Sequence, residues 1–338
     1  MTAVHVVFPE DIDDPARPSG GNTYDRRICQ GLAALGWDVH EHAVVRTTLV
    51  HTIRRIPDGA VVLLDGLIAS TAPEVLVPEA RRLRQVVLLH MPLGGRDVLA
   101  AATAVITTSA WTRHHLLNRY ELPADRVHVA EPGVDAAPLA LGSATGGSLL
   151  SVAALTPDKG HDVLLDALAM VTDRSWRCEC VGSVVRDPVC AGGMRLRARE
   201  RGLGDRVRFP GALTGDELDC AYAAADLLVL PSHAETYGMV VTEALARGVP
   251  VLATEVGGVS EALGHGDDGA RPGLLVPPGD PAALGTALRA WLEDAALREE
   301  LRRAARERRA HLRPWATTAS AVGGVLAGAV AELAGAAR

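Results

Sequence analysis

The sequence lacks the segments that mark membrane and secreted proteins. It has no run of about 18 or more apolar residues, so no transmembrane helix is predicted. The N-terminus carries no positive region before its first apolar segment and no cleavage pattern, so no signal peptide is expected. The five cysteines are an odd number and include no C-x-x-C pair. We therefore expect free thiols in a reducing cytoplasm, and not disulfides or a zinc site.

Basic charge and several common catalytic motifs are also lacking. The net charge is −7 and no basic stripe is interleaved with aromatic residues, so neither nucleic-acid binding nor stable membrane insertion is expected. There is no P-loop, no H-E-x-x-H pair, and no G-x-G-x-x-G after the first predicted strand, which argues against a dinucleotide dehydrogenase. Asp11 and Asp13 form a D-x-D sequence, but they lie in an acidic run before a glycine turn. We interpret this run as a solvated loop and predict no metal site.

The chain does contain a repeated alternation of short apolar segments and helical patterns, which is typical of parallel, doubly wound α/β sheets. Its 338 residues are enough for two domains. A Gly/Ser/Ala stretch at 142–147 has the composition of a linker, and Pro314 interrupts the helical C-terminal region. We predict Rossmann-like domains at 1–143 and 144–315 and a final helix at 316–338. The predicted strands are Val4–Phe8, Val61–Leu64, Val86–His90, Val105–Thr108, Val127–Ala130, Leu149–Ala153, Arg177–Val181, Val207–Phe209, Leu227–Leu230, Val249–Ala253 and Gly273–Val276.

The most informative stretch runs from Asp226 to Leu263. It reads as strand, loop, helix, strand, glycine turn and helix, so both of its loops lie at the carboxyl edge of a parallel sheet, where α/β proteins bind ligands. The central helix is predicted from Gly238 to about Arg247, and Gly248 has the place of a left-handed residue after a helix. The amides of Tyr237, Gly238 and Met239 then form a helix N-terminus that favours an anion such as phosphate.

Two glutamates flank this amide cluster. Glu235 lies in the loop, and Glu243 follows eight residues later within the helix. Carboxylates are good acceptors for the hydroxyls of a sugar, so a sugar nucleotide would occupy both. The residues alone are equally consistent with an ordinary loop acid and an exposed helix acid.

Two further side chains follow predicted strands. Lys159 is the only lysine in a chain whose lysines and arginines total 34. It lies in a loop after the first strand of the second domain, where a compact ammonium suits a phosphate; an exposed turn lysine is the alternative. His90 ends the strand pattern VVLLH, and one histidine among 12 is by itself weak evidence for a site. Asp65 ends the preceding strand pattern and is a candidate for acceptor binding.

The stretch from Asp226 to Leu263 resembles the retaining glycosyltransferases of family 4 and their E-x7-E motif. The resemblance implies the GT-B fold, with two Rossmann-like domains that face each other across a cleft and a last helix that crosses back to the first domain. It also implies metal-independent transfer from a nucleotide-diphosphate sugar, with no bound cofactor. The matching residues are Glu235, Thr236, Tyr237, Gly238, Glu243, Ala244, Gly248, Pro250, Gly257, Gly258 and Glu261.

The resemblance assigns expected roles to individual residues. Glu235 would orient the sugar, Glu243 would hold the ribose, Lys159 would bind the diphosphate, and His90 would lie beside the transferring carbon. Gly20 and Gly21, before a helix expected near Thr23, correspond to a glycine pair that faces the diphosphate. The other candidate donor contacts are Gly182 and Ser183 for phosphate, Ala212 and Leu213 around the base, and Thr236, Tyr237, Gly238 and Met239 at the helix N-terminus.

One position departs from the family pattern. Ala154 stands where the family has an arginine that binds the diphosphate. Arg26, Arg113 and Arg186 are candidates to replace it, and the sequence does not choose among them.

The sequence therefore predicts transfer of a sugar from a UDP, GDP or dTDP donor to a small soluble acceptor, such as a natural-product aglycone or an aminocyclitol. Two alternatives stay open. One is a GT-B nucleotide-sugar epimerase or hydrolase, and the other is a non-catalytic protein that binds sugar nucleotides. The sequence does not predict an oligomeric state.

Overall fold

The computed structural model describes residues 2–91 and 95–336. The chain divides into two compact units. Unit 1 contains Met1–Asp13, Gly20–Gly133 and Arg313–Arg338, and unit 2 contains Asp14–Ser19 and Val134–Leu312. Each unit is built on a six-stranded sheet in which all pairs are parallel. This arrangement is the α/β class that the sequence predicted.

Unit 1 has the strand order β2-β1-β3-β4-β5-β6. Its central strands are continuous apolar runs because helices cover both faces of the sheet, and each face has its own cluster of buried side chains. The strands are β1 (Ala3–Pro9), β2 (Asp38–Val44), β3 (Val61–Asp65), β4 (Arg84–Leu89), β5 (Ala104–Thr107) and β6 (Val127–Val129). The helices are α1 (Gly20–Ala34), α2 (Arg46–Arg55), α3 (Gly66–Thr71), α4 (Pro73–Glu79), α5 (Arg96–Ala101) and α6 (Ala110–Tyr120).

Unit 2 has the strand order β12-β11-β10-β7-β8-β9. Its strands are β7 (Ser148–Val152), β8 (Arg177–Val181), β9 (Val207–Gly211), β10 (Leu227–Leu230), β11 (Val251–Thr254) and β12 (Gly273–Val276). Its helices are α7 (His161–Ala169), α8 (Pro188–Glu200), α9 (Gly215–Ala223), α10 (Met239–Ala246), α11 (Val259–Leu263), α12 (Pro281–Glu293) and α13 (Ala295–Arg309). Because β7 and β10 are neighbours, the loops that follow them lie side by side at one edge of the sheet.

The sequence analysis missed β2, and it placed the start of α1 too late. The strand β2 reads DVHEHAV and forms the edge of its sheet, where most of its side chains are exposed, so it lacks the apolar run used to predict the other strands. The helix α1 begins at Gly20 and not near Thr23. Gly20 and Gly21 are therefore part of its first turn, where the amides have no partner within the helix.

The composition of the stretch at 142–147 had suggested a linker. The structure shows instead that hydrogen bonds tie this stretch to the rest of unit 2. Its Ser143 hydroxyl donates to the buried carboxylate of Asp226 over 2.6 Å, and Asp226 also accepts from the amide of Ser148 and from Arg302. Gly146 accepts a hydrogen bond from the indole of Trp291 through its carbonyl. The stretch is thus packed within unit 2.

The last helix, α14 (Trp315–Ala336), packs on unit 1, which confirms the predicted return to the first domain. Its residues Ala319, Val322 and Leu326 are buried in the same cluster as Ile28 of α1. The two helices touch at Gly31, where any larger side chain would overlap Ala319. Within the described ranges, none of the helices combines the length and apolar character needed to cross a lipid bilayer.

Candidate functional site

The loop between β10 and α10 in unit 2 carries an acid that is paired with the only lysine of the chain. Glu235 accepts hydrogen bonds on Oε1 from Lys159 Nζ and from Ser232 Oγ, both over 2.8 Å. The side chain of Glu235 is 13% exposed and that of Lys159 is 25% exposed. The Lys159 ammonium also lies 3.7 Å from the carboxylate of Asp158. An ammonium has three donors, so it can bind an anionic ligand and keep one of these partners.

Two backbone contacts hold the Lys159 loop against the Glu235 loop. The amide of His233 donates to the carbonyl of Asp158 over 2.8 Å. Gly160, which has a positive φ of +65°, packs so closely on Pro231 that a Cβ atom there would overlap the Pro231 carbonyl. The position of Lys159 relative to the loop after β10 is therefore set by the backbone as well as by the ion pair.

A second glycine supports Glu235 from the other side. Gly257 has a φ of +54°, and a Cβ atom there would overlap the carbonyl oxygen of Glu235. The amide of Gly258 donates to that same oxygen over 3.3 Å. The Gly257–Gly258 turn after β11 thus fixes the backbone of Glu235.

Glu243 lies on α10 and is held by a tyrosine. Its Oε2 accepts a hydrogen bond from the Tyr222 hydroxyl over 2.7 Å, and the guanidinium of Arg247 lies 4.6 Å above the Tyr222 ring. Burial raises the pKa of Glu243, although the Tyr222 hydrogen bond and the Arg247 charge act in the opposite direction. One carboxylate oxygen is thus bound by Tyr222, and this hydrogen bond orients the other oxygen.

The N-terminus of α10 lies between the two glutamates in sequence. Gly238 precedes the helix with a φ of +88°, and Met239 is its first residue. Tyr237 is buried with only 5% exposure and packs in a core cluster of unit 2. The first-turn amides of a helix have no intrahelical acceptor, so they and the helix dipole form an anion-binding position.

The other residues predicted to contact the sugar nucleotide follow β8 and β9, at the same edge of the sheet. The amide of Gly182 donates to the carbonyl of Gly211 over 2.9 Å, and the Ser183 hydroxyl donates to the carbonyl of Ala16 over 2.6 Å. Both groups are therefore already engaged within unit 2. Ala212 and Leu213 come directly after β9 and are half-buried, as is Thr236 in the Glu235 loop.

In unit 1, His90 lies at the end of β4 and contacts two buried aspartates. Its Nε2 is 2.7 Å from Asp25 Oδ1 and 3.6 Å from Asp65 Oδ2. Asp65 ends β3, and its Oδ1 accepts hydrogen bonds from the first-turn amides of α3 at Leu67 and Ile68, over 2.7 and 3.3 Å. We refer to Asp25, Asp65 and His90 as the His90 cluster.

The charges of the His90 cluster shift its own protonation equilibria. Burial and the negative charge of Asp25 raise the pKa of Asp65 to about 6. Burial opposes a charged imidazole at His90, but the Asp25 and Asp65 carboxylates outweigh it and raise the pKa of His90 above its usual value. The two carboxylates of the cluster thus favour the protonated form of the His90 ring.

Of the predicted glycine pair, Gly21 lies beside His90. A Cβ atom on Gly21 would come within 3.2 Å of Cδ2 of the His90 ring, so the helix backbone approaches the imidazole closely. The Tyr24 ring meets the His90 ring edge-on with centroids 5.1 Å apart. In the described part of the chain, the His90 cluster is also the one group whose ligand atoms are close enough to hold a metal ion. The predicted absence of a metal requirement therefore stays a prediction.

Comparison with known proteins identifies the family. Residues 144–308, which contain the Lys159–Glu235 pair and Glu243, match the family described as "Glycosyl transferases group 1". A "D-inositol 3-phosphate glycosyltransferase" of Jonesia denitrificans is 32% identical over 309 residues, which cover 86% of this chain and 66% of that protein. The chain belongs to the group 1 glycosyltransferases. It spans about half to two thirds of the length of the curated relatives that it matches.

Solved structures of other glycosyltransferases share the fold. The sucrose-phosphate synthase of Thermosynechococcus elongatus superposes with a TM-score of 0.80 at 22% identity, covering 98% of this chain and 100% of that one. HepE of Anabaena, solved in complex with UDP-glucose, gives a TM-score of 0.78 at 18% identity, covering 97% and 100%. These similarities confirm that this group 1 glycosyltransferase has the GT-B fold.

Sequence reasoning missed three of the side chains that hold the site. Ser232 and Tyr222 bind the two glutamates, and Asp25 binds His90. Asp25 did carry a signal, because it is an acid on the face of α1 that also buries Ile28 and Cys29, where an apolar residue is expected. Ser232 and Tyr222 carried none, since serine in a loop and tyrosine in a helix are common.

The structure also separates the three arginines considered as replacements at the Ala154 position. Arg26 is paired with Asp13 and Glu41 in unit 1, and Arg113 donates to two backbone carbonyls of unit 1. Arg186 is exposed in the loop after β8 of unit 2, at the edge that carries Lys159. Of the three, it is the one placed in the same unit as Lys159.

Proposed function

We propose that this group 1 glycosyltransferase transfers a sugar, with retention at the anomeric carbon, from a nucleotide-diphosphate sugar bound to unit 2. The donor base would be that of UDP, GDP or dTDP. The acceptor is a small, soluble, polyhydroxylated molecule that contacts the His90 cluster of unit 1. The observation that carries the proposal is the Lys159–Glu235 pair at the ligand edge of the unit 2 sheet, beside the N-terminus of α10.

The donor-binding half of the proposal assigns a role to each contact. Lys159 and the first-turn amides of α10 bind the diphosphate, and Arg186 supplies the positive charge that Ala154 does not. Glu235, held by Ser232 and the Gly257–Gly258 turn, accepts hydrogen bonds from hydroxyls of the sugar. Glu243 accepts hydrogen bonds from the ribose hydroxyls through the carboxylate oxygen that Tyr222 does not bind.

These groups account for catalysis without a metal. Departure of the nucleoside diphosphate develops negative charge on its leaving oxygen. An ammonium and oriented amides that are already in place stabilise that charge without reorganisation, as a bound cation does in other enzymes. We therefore propose that no metal is required. The free thiols of all five cysteines suit a reducing compartment, and we propose the cytoplasm.

The acceptor is proposed to be a cyclitol. The curated relatives are named for the glycosylation of D-inositol 3-phosphate, a phosphorylated cyclitol. In this chain, however, Asp65 and Asp25 surround His90 with two buried carboxylates, which disfavour an anionic group nearby. We propose that an uncharged cyclitol or an aminocyclitol is used in preference to a phosphorylated one.

Release of free nucleoside diphosphate tests the proposal. Wild type would be incubated with UDP-, GDP- and dTDP-sugars in EDTA, with inositol, inositol 3-phosphate or an aminocyclitol as acceptor. The variants Lys159→Ala and Glu235→Ala are expected to lose about 100-fold or more in release, because each removes a group that acts on the leaving diphosphate or the sugar. Glu200→Ala, an exposed acid at the end of α8, is the matched control and should retain wild-type release.

Three outcomes would contradict parts of this account. Release that occurs only after a divalent metal is added contradicts the metal-free mechanism. Release that is unaffected by all three acceptors supports a hydrolase instead of a transferase. Tight binding of the donors with no release under any condition supports a non-catalytic binding protein.

A further inference from the structure

Asp25 has a position that the proposed function does not explain. It lies in the second turn of α1, is 4% exposed, and directs Oδ1 to His90 Nε2 over 2.7 Å. Burying a carboxylate costs free energy unless it is paired with a charge or a strong donor. An apolar side chain would serve the packing of α1 better, since its neighbours on the same face are Tyr24, Ile28 and Cys29. The presence of an acid at this position is therefore explained by its contact with His90 and not by packing.

We infer that Asp25 is a positioning residue that fixes the His90 ring and balances its positive charge. Its hydrogen bond to Nε2 assigns the proton to that nitrogen, because a carboxylate can only accept. The ring is confined on its other sides by the backbone of Gly21 and the edge of Tyr24. Asp65 lies farther away at 3.6 Å and is already bonded to two amides of α3, so Asp25 is the main ionic partner.

The pairing determines what His90 can offer a substrate. In the neutral ring with Nε2 protonated, Nδ1 is an acceptor, whereas in the imidazolium both nitrogens donate. The charged groups that face His90 are Asp25 from α1 and Asp65 from β3, and both favour the imidazolium. The catalytic consequence rests on the proposed function, in which the acceptor contacts the His90 cluster.

The test compares Asp25→Asn with wild type over pH 5.5–9. The asparagine oxygen can still accept the Nε2 proton, so the ring stays in place while the balancing charge is lost. The pKa of His90 should fall by about one unit or more. The alkaline limit of nucleotide release should move to lower pH by the same amount. At pH 5.5 the variant should recover to within a few-fold of wild type, whereas a residue needed only for folding would lose the same fraction at every pH.

A direct measurement does not depend on turnover. Proton–nitrogen NMR of histidine-labelled protein follows the His90 ring, whose signal is assigned by its absence in His90→Gln. This titration is informative even if no donor is turned over, so failure of the inference is distinguishable from failure of the proposed function. Asp38→Asn is the matched control, because it removes another Asp–His pair of unit 1, with His40 on the exposed edge strand, and should leave the His90 titration unchanged.

Two results overturn the inference. The first is a His90 pKa that is the same in wild type and Asp25→Asn. The second applies if Asp25→Asn does not fold: a wild-type His90 pKa at or below that of an ordinary imidazole, about 6.5, would show that no carboxylate balances its charge. A downfield Nε2 proton signal and a raised pKa in wild type would support the pairing in that case.

Discussion

Two histidines show how a single residue type is used in opposite ways in this chain. His90 has two carboxylates beside it, and its pKa is raised. His161, the first residue of α7, is 2% exposed, and neither of its ring nitrogens has a hydrogen-bond partner among the described residues. Burial lowers the pKa of His161 to about 4. The paired His90 is suited to a catalytic role, whereas the unpaired, buried His161 lowers the stability of the fold.

Replacement of His161 by leucine is expected to stabilise the protein, and more so in acid. The unfolded chain binds a proton at His161 below about pH 6.5, whereas the folded protein resists it until about pH 4, so wild-type stability falls as the pH drops through this window. His161→Leu should therefore gain about 1–2 kcal/mol at pH 7 from removal of an unpaired buried group, and about 2 kcal/mol more at pH 5.

Urea unfolding at pH 7 and pH 5 measures this difference. His233→Leu changes an exposed histidine of the same unit and serves as the control. If His161→Leu and wild type lose stability equally between the two pH values, His161 is not the group that resists protonation.

Individual site residues were predictable to different degrees. Lys159 was visible because it is the only lysine, and Glu235 and Glu243 because a dense local motif surrounds them. The Asp25–His90 contact joins residues 65 positions apart, and only the folded sheet brings the start of α1 to the end of β4. Sequence patterns specify local chemistry well, but they do not specify which distant partner completes it.

At the scale of elements, the candidate donor site depends on loops that pack backbone against backbone. The loop after β7 contacts the loop after β10 at Gly160, and the turn after β11 contacts it at Gly257. Both contacts require a residue without a side chain. The backbone of the Glu235 loop is therefore placed by the backbones of neighbouring loops, and not by a helix or strand of its own.

Gly257→Ala tests this dependence. The added methyl group would overlap the Glu235 carbonyl, so we expect displacement of Glu235 and a loss of about 100-fold in nucleotide release. Gly215→Ala is the matched control: Gly215 has nearly the same φ, +53° against +54°, but a Cβ atom there would have none of the described atoms beyond its chain neighbours and its own helix within 4 Å.

Both variants should lose about 1–2 kcal/mol of stability from backbone strain, and only Gly257→Ala should lose activity. Equal activity of the two variants would show that the Gly257 contact does not position Glu235.

The elements themselves were predicted well where strands are buried. β8, β10 and β12 have the predicted bounds. In β10 the signal is a continuous apolar run that is buried on both faces, whereas in β8 it is the alternation of Cys178 and Cys180 with charged residues. The edge strand β2 was missed because its exposure removes that signal, and the stretch 142–147 was misinterpreted because composition does not reveal its contacts with Asp226.

At the scale of the whole molecule, the alternation of strands and helices was enough to predict two parallel sheets, and the motif around Glu235 was enough to predict the family. Both predictions are confirmed. The identity of the acceptor was not predictable. We propose that the acceptor contacts the His90 cluster, whose residues come from α1, β3 and the end of β4, and two of these three residues carry no motif.

The anomeric configuration of the product tests the central claim most directly. Wild type would be supplied, in EDTA, with an α-configured donor and a cyclitol acceptor, and the anomeric proton signals followed by NMR as the donor is consumed. Our account predicts a new α-linked signal on the acceptor, which requires both transfer and retention. A β-linked product would contradict the retaining mechanism, and free sugar with unmodified acceptor would contradict transfer.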